Sequence, residues 1–118
     1  LKVDQNKPLL KEVFFMESLK NFRSFQLSVQ FHKRCVGTRF PGYLRSQILR
    51  ASSSITLNIG EGSSKPTHKD RLKFYHIALG SLRECQSALM LLSHPETELI
   101  GLADVLGAHL YRLCHPKI

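Results

Sequence analysis

The chain of 118 residues lacks tryptophan and has only three cysteines. No apolar run approaches the ~18 residues a membrane span needs, so no membrane partner is expected. No signal-peptide pattern opens it either. Cys35, Cys85 and Cys114 are odd in number and far apart, with no CxxC spacing. That excludes a disulfide framework and a structural zinc site as expectations. It leaves three small buried side chains in a reducing, cytoplasmic setting. Strand-like alternation and an Asn-Gly hairpin signal are both missing, which points to an all-α fold. With no tryptophan and few aromatics on the basic segments, backbone contact is the expected mode for any nucleic-acid partner, ahead of base stacking.

Acidic residues are also scarce. Seventeen Lys and Arg stand against nine Asp and Glu, a net charge of +8. Residues 22–60 hold six basic side chains and no acid. Residues 76–118 are slightly acidic, so the basic excess lies mid-chain. Such an excess calls for an anionic partner, most often nucleic acid or a membrane surface. What is present suffices for one folded domain, since 42% of the residues are hydrophobic.

Four long helices follow from periodicity. The first covers 22–36, with Phe22, Phe25, Val29, His32 and Val36 on its apolar face and Gly37 as its stop. The second runs 43–59 on Leu44, Ile48, Ala51, Ile55 and Ile59, and Gly60-Glu61-Gly62 ends it. The third opens at Thr67, which has Asp70 at capping-box spacing, and reaches Ser93. It carries two apolar seams, one through Leu72, Tyr75, Leu79 and Leu82, the other through Phe74, Ala78, Ser81 and Cys85. So wide a face suits a helix deep in a bundle or against another subunit. The fourth runs 97–114 on Leu99, Leu102 or Ala103, Leu106, Leu110 and Leu113, with Gly101 and Gly107 weakening it. Short loops between the helices imply an antiparallel up-down four-helix bundle over 22–118. Residues 1–21 read as an N-terminal extension, with a short helix capped by Asn6 before Pro8. Met16-Glu17-Ser18-Leu19 reads as a natural start, with residues 1–15 upstream of it.

No catalytic constellation stands out. None of the six histidines forms HExxH. His32 and Cys35 share a helical face but lack the further ligands zinc needs. Glu61 and Glu84 are candidate paired carboxylates, yet each is better read as the partner of an Arg or Asn. No Ser lies in GxSxG, and Gly60 to Lys65 lacks Walker A spacing. A non-enzyme without metal or cofactor is expected. Lys33, Arg34, Arg45, Lys65, Lys69, Arg71 and Lys73 are the candidate phosphate contacts, since cations on a nucleic-acid backbone release counterions.

The second helix carries a more specific pattern. Gln47-Ile48-Leu49-Arg50-Ala51-Ser52-Ser53-Ser54-Ile55, then Asn58-Ile59-Gly60-Glu61-Gly62, resembles the bacterial four-helix-bundle family also known as 23S rRNA intervening-sequence proteins. Phe74-Tyr75, Ile77-Ala78, Gly80-Ser81 and Glu84 on the third helix fit the same resemblance, which spans about 22–93. Gly60 stands where the family usually has Ala, and Leu49-Arg50 where it often has paired Arg. That family includes the accessory variability determinant of diversity-generating retroelements. The resemblance implies a homopentameric barrel, nucleic-acid binding and, for the retroelement member, work beside a reverse transcriptase. On it, Arg50, Asn58, Glu61 and Glu84, within a motif that also holds Gln47, form a buried or interfacial polar network. Gly62 allows a sharp exit from the second helix. Ser52, Ala78 and Ser81 allow close helix approach. RNA or DNA is therefore the leading partner, and an acidic protein bound by a scaffold is the alternative.

Overall fold

A computed structural model describes residues 14–117. The short helix expected at Asn6 lies outside them. Among the described residues there are five helices and no strand: α1 (Phe15–Lys20), α2 (Arg23–Val36), α3 (Gly42–Ser63), α4 (His68–Leu89) and α5 (Thr97–Cys114). The fold is all-α. α2 packs on α3 and α5, and α4 packs on the same two, with the α3–α4 contact the most extensive. Between them lie the fully buried Phe31, Ile48, Ile55, Ile59, Leu82, Leu106 and Leu110. Each such side chain contributes about 1.5–3 kcal/mol by leaving water.

Local chemistry sets the helix ends. Pro41 is extended before α3, with φ −54° set by its ring and ψ 142°, and its carbonyl accepts from the Leu44 and Arg45 amides. The Thr67 hydroxyl accepts the Asp70 amide at 3.2 Å, the capping contact expected at the start of α4. Gly37 caps α2 in a right-handed conformation, so this stop does not draw on glycine's freedom.

Three expectations are corrected. The buried face of α2 is Ser24, Leu27, Ser28, Phe31 and Cys35, leaving Phe25, Val29 and His32 half-buried and Val36 exposed. The serines are short enough to let α3 approach, and Thr56 donates to Ser28 Oγ across the gap at 2.9 Å. Secondly, α3 does not end at Gly60 but continues to Ser63. Gly62 is therefore no exit; it is a point of close packing. A Cβ there would stand 2.8 Å from Tyr75 Cε1 and 3.1 Å from Phe74 Cβ. Contact with α4 outweighs the roughly 1 kcal/mol that glycine costs a helix. Thirdly, α4 ends at Leu89, well before Ser93, because Met90 and Leu91 tighten the chain with bonds to the carbonyls of Ser87 and Ala88. Helix α1 forms within the N-terminal segment. It packs on α2 and buries Leu19, and the Gln26 side-chain amide donates to the Lys20 carbonyl.

Candidate nucleic-acid interface

The seven basic candidates fall at opposite ends of α3. Lys33, Arg34 and Arg45 lie where α2 turns into α3. Lys65, Lys69, Arg71 and Lys73 lie where α3 turns into α4. At 1.5 Å per residue, the 22 residues of α3 separate the two groups by roughly 30 Å. They do not make one patch within a single chain.

Several of the seven are engaged inside the molecule. Arg34 Nη2 lies 2.8 Å from Glu98 Oε1, tying α2 to α5. Arg45 donates to the carbonyls of Thr38 at 2.9 Å and Val36 at 3.2 Å, which closes the α2–α3 turn. Arg71 Nε donates to the Lys65 carbonyl at 2.8 Å. Lys65 Nζ lies 3.6 Å from Glu61 Oε1 and 5.1 Å from the centre of the Phe74 ring. Lys73 approaches the same ring at 5.8 Å. Lys33, Lys69 and Lys73 are exposed, with no carboxylate in ion-pair range among the described residues.

Helical phase adds members that counting charge by segment misses. Lys69, Lys73, His76, Gly80 and Arg83 recur at alternating spacings of four and three on α4, and all are exposed. They form one outward stripe, opposite the buried Tyr75, Ala78, Leu82 and Cys85. Arg83 escaped notice because it lies in the acidic last third of the sequence. Its signal was the spacing.

The motif residues separate into three contacts. Arg50 Nη2 pairs with Glu84 Oε2 across α3 and α4. Asn58 Nδ2 donates to the Ser54 carbonyl at 2.8 Å and to Ser54 Oγ at 3.1 Å, and Ser54 Oγ meets Ser81 Oγ at 2.9 Å. Glu61 pairs with Lys65. Gln47 is exposed on the outer side of α3. Within one chain Arg50 and Glu84 are exposed, which limits such a pair to about 1 kcal/mol or less. The two glutamates do not meet: Glu84 stands beside Arg50, some three turns of α3 from Glu61.

The remaining candidates are structural. His32 Nδ1 and Ser52 Oγ are 2.6 Å apart, and Ser52 also donates to the Leu49 carbonyl. Burial pushes the Cys35 thiol up to about 11, partly offset by its hydrogen bond with Ser52. Burial also pushes Cys85 to about 12, with Cys35 and Glu84 adding to the rise and Arg50 opposing it. All three cysteines are buried free thiols, and no group of three or more potential metal ligands occurs among the described residues. His109 is held below its ordinary value by desolvation and by the charges of Arg112 and Arg23.

A helical core, small residues where α3 meets its neighbours and a cationic stripe on α4 define a small basic all-α protein. The family model for the 23S rRNA-intervening sequence protein matches residues 20–98, and the chain belongs to that family. No curated protein matches the sequence, and no solved structure does. No described helix is long and apolar enough to cross a membrane.

Proposed function

We propose that the chain is a non-enzymatic, homo-oligomeric basic bundle that binds RNA or DNA through the phosphate backbone. The observation that carries this reading is the stripe of Lys69, Lys73 and Arg83 along α4, with no carboxylate in ion-pair range among the described residues. Cations held outward without a carboxylate partner are suited to phosphate contact. Of the sequence candidates, Lys33, Lys69 and Lys73 are the ones free to make it.

In this reading α2 to α5 form an antiparallel up-down bundle. Cross-helix pairs support that order: Ser28 with Thr56 and His32 with Ser52, Arg50 with Glu84 and Ser54 with Ser81. In each set one number rises as the other falls. The bundle assembles as a homopentamer through the outer ridge of α3 and α4. Support comes from exposed Tyr43, Leu57 and Ile77 on that ridge and Leu91 just past the end of α4, with the Arg50–Glu84 pair among them. There the polar motif becomes interfacial. The proposed setting is the bacterial cytoplasm, beside a reverse transcriptase or a ribonucleoprotein.

Two measurements test the reading. Native mass spectrometry is expected to give a pentamer, and a monomer overturns the assembly. Fluorescence anisotropy with labelled RNA and DNA, single- and double-stranded, is expected to give binding that weakens steeply with salt. No binding at low salt overturns the nucleic-acid reading and leaves an acidic protein as the partner that explains the charge.

A further inference from the structure

We propose that the groove between α4 and α5 holds a single nucleic-acid strand, with Arg83 and Arg112 on its phosphates and Tyr111 stacked on a base. This rests on the nucleic-acid reading above and names the form of nucleic acid and the face that takes it.

The groove is open and offers about 500 Å³, and Gly107 and Ala108 are among its lining residues. These small residues leave room for a ligand between the larger walls. A Cβ on Gly107 would lie 3.4 Å from Arg83 Nη1, an ordinary contact distance, so the guanidinium lies over the small residues of the groove. Arg83 donates to Gln86 Oε1 at 2.7 Å, a neutral partner that fixes the side chain and leaves its charge uncompensated. Arg112 reaches the same groove and has no carboxylate in ion-pair range among the described residues. Asp104 is the acid on the wall, with Gln86 Nε2 3.5 Å from its Oδ1.

Tyr111 adds a second kind of contact. It is 53% exposed and stacked on His115, with ring centres 4.1 Å apart and planes at 26°. His76 meets His115 edge-on at 5.9 Å. The groove thus sets an open aromatic face beside two guanidinium groups. That combination fits a strand whose bases are free to stack, which a duplex does not offer. Lys69 and Lys73 continue the cationic track along α4 beyond His76.

The test is anisotropy with a labelled oligothymidylate and a labelled duplex at several salt concentrations. Arg83, Tyr111 and Arg112 are exposed, so their variants are expected to fold, checked by circular dichroism. The double variant Arg83→Gln/Arg112→Gln is expected to weaken single-strand binding by about tenfold or more. Its slope of log K against log salt falls by about 1.4, the loss of two phosphates. Tyr111→Ala is expected to weaken single-strand binding by about tenfold, and Tyr111→Phe to restore it. Arg39→Gln, in the α2–α3 turn and outside the groove lining, serves as the charge control. If the wild type binds and the groove variants match Arg39→Gln, the groove is overturned and the wider reading stands. Duplex preference that survives Tyr111→Ala also overturns it. If the wild type binds neither probe, the wider reading falls first.

Discussion

The two faces of α4 differ in what holds their residues in place. On the inner face Tyr75, Ala78, Leu82, Cys85 and Leu89 are buried against α3 and α5. On the outer face Lys69, Lys73, His76 and Arg83 stand in solvent. Inner positions are dictated by volume, because interiors are close-packed and forfeit contacts when a gap opens. Outer positions are nearly neutral for stability, so their sign of charge is free to serve a partner. The cations where α2 turns into α3 sharpen the contrast. Arg34 and Arg45 carry the same charge but are tied to Glu98 and to backbone carbonyls. Charge therefore indicates function where neither a carboxylate nor the backbone claims it.

The largest expected effect lies on the inner face. Leu82 is fully buried, and Leu82→Ala is expected to cost about 2–5 kcal/mol in urea unfolding while the folded protein keeps its oligonucleotide affinity. A cost below about 1 kcal/mol would show that the inner face is not packed as described.

Alkali probes the same face. Cys35 and Cys85 have thiols raised in the folded state to about 11 and about 12 from 9.0. Below pH 9 both states keep the proton and these groups do not affect stability. Above it the unfolded chain ionises first, so stability falls with rising pH, by about 1.4 kcal/mol per unit for each thiol. Replacing both with alanine is expected to flatten that part of the curve. An unchanged slope would mean the thiols are not buried.

Glycines compare the faces at smaller scale. Gly62→Ala would push a methyl into Tyr75 and Phe74, and is expected to destabilise by about 1–3 kcal/mol. Gly101→Ala meets nothing within 4 Å, and is expected to stabilise by up to about 1 kcal/mol through helix propensity alone. Thermal unfolding reads both, and equal shifts would erase the distinction. The smallest stability effect belongs to Lys69→Gln/Lys73→Gln, within about 0.5 kcal/mol of wild type. Its salt slope on single strands is nonetheless expected to fall by about 1.4.

Much of the inner architecture was legible in the sequence. The stripe Leu44, Ile48, Ala51, Ile55 and Ile59 is wholly buried, and Thr67 caps α4. Helix α2 was misread because Phe22 and Phe25 outweighed Ser24 and Ser28 in any hydrophobicity count. Burial there follows how closely α3 approaches, which depends on side-chain size in two helices at once. Gly62 was misread for a related reason, since glycine ends a helix or admits a neighbour, and only the neighbour's position decides. The family motif was visible, but its division into separate contacts required the register of α3 against α4. Arg83 and Arg112 are not legible from charge along the chain, because a groove gathers residues by helical phase.

Photo-crosslinking tests the outer-face assignment most directly. A short single strand bearing thiothymidine would be bound to the wild-type protein, irradiated, and the joined peptide identified by mass spectrometry. Crosslinks are expected on the outer face of α4 and at Tyr111 of α5 or His115 just beyond it. Crosslinks confined to residues 33–45, where α2 turns into α3, would contradict the assignment of nucleic-acid binding to the outer face of α4.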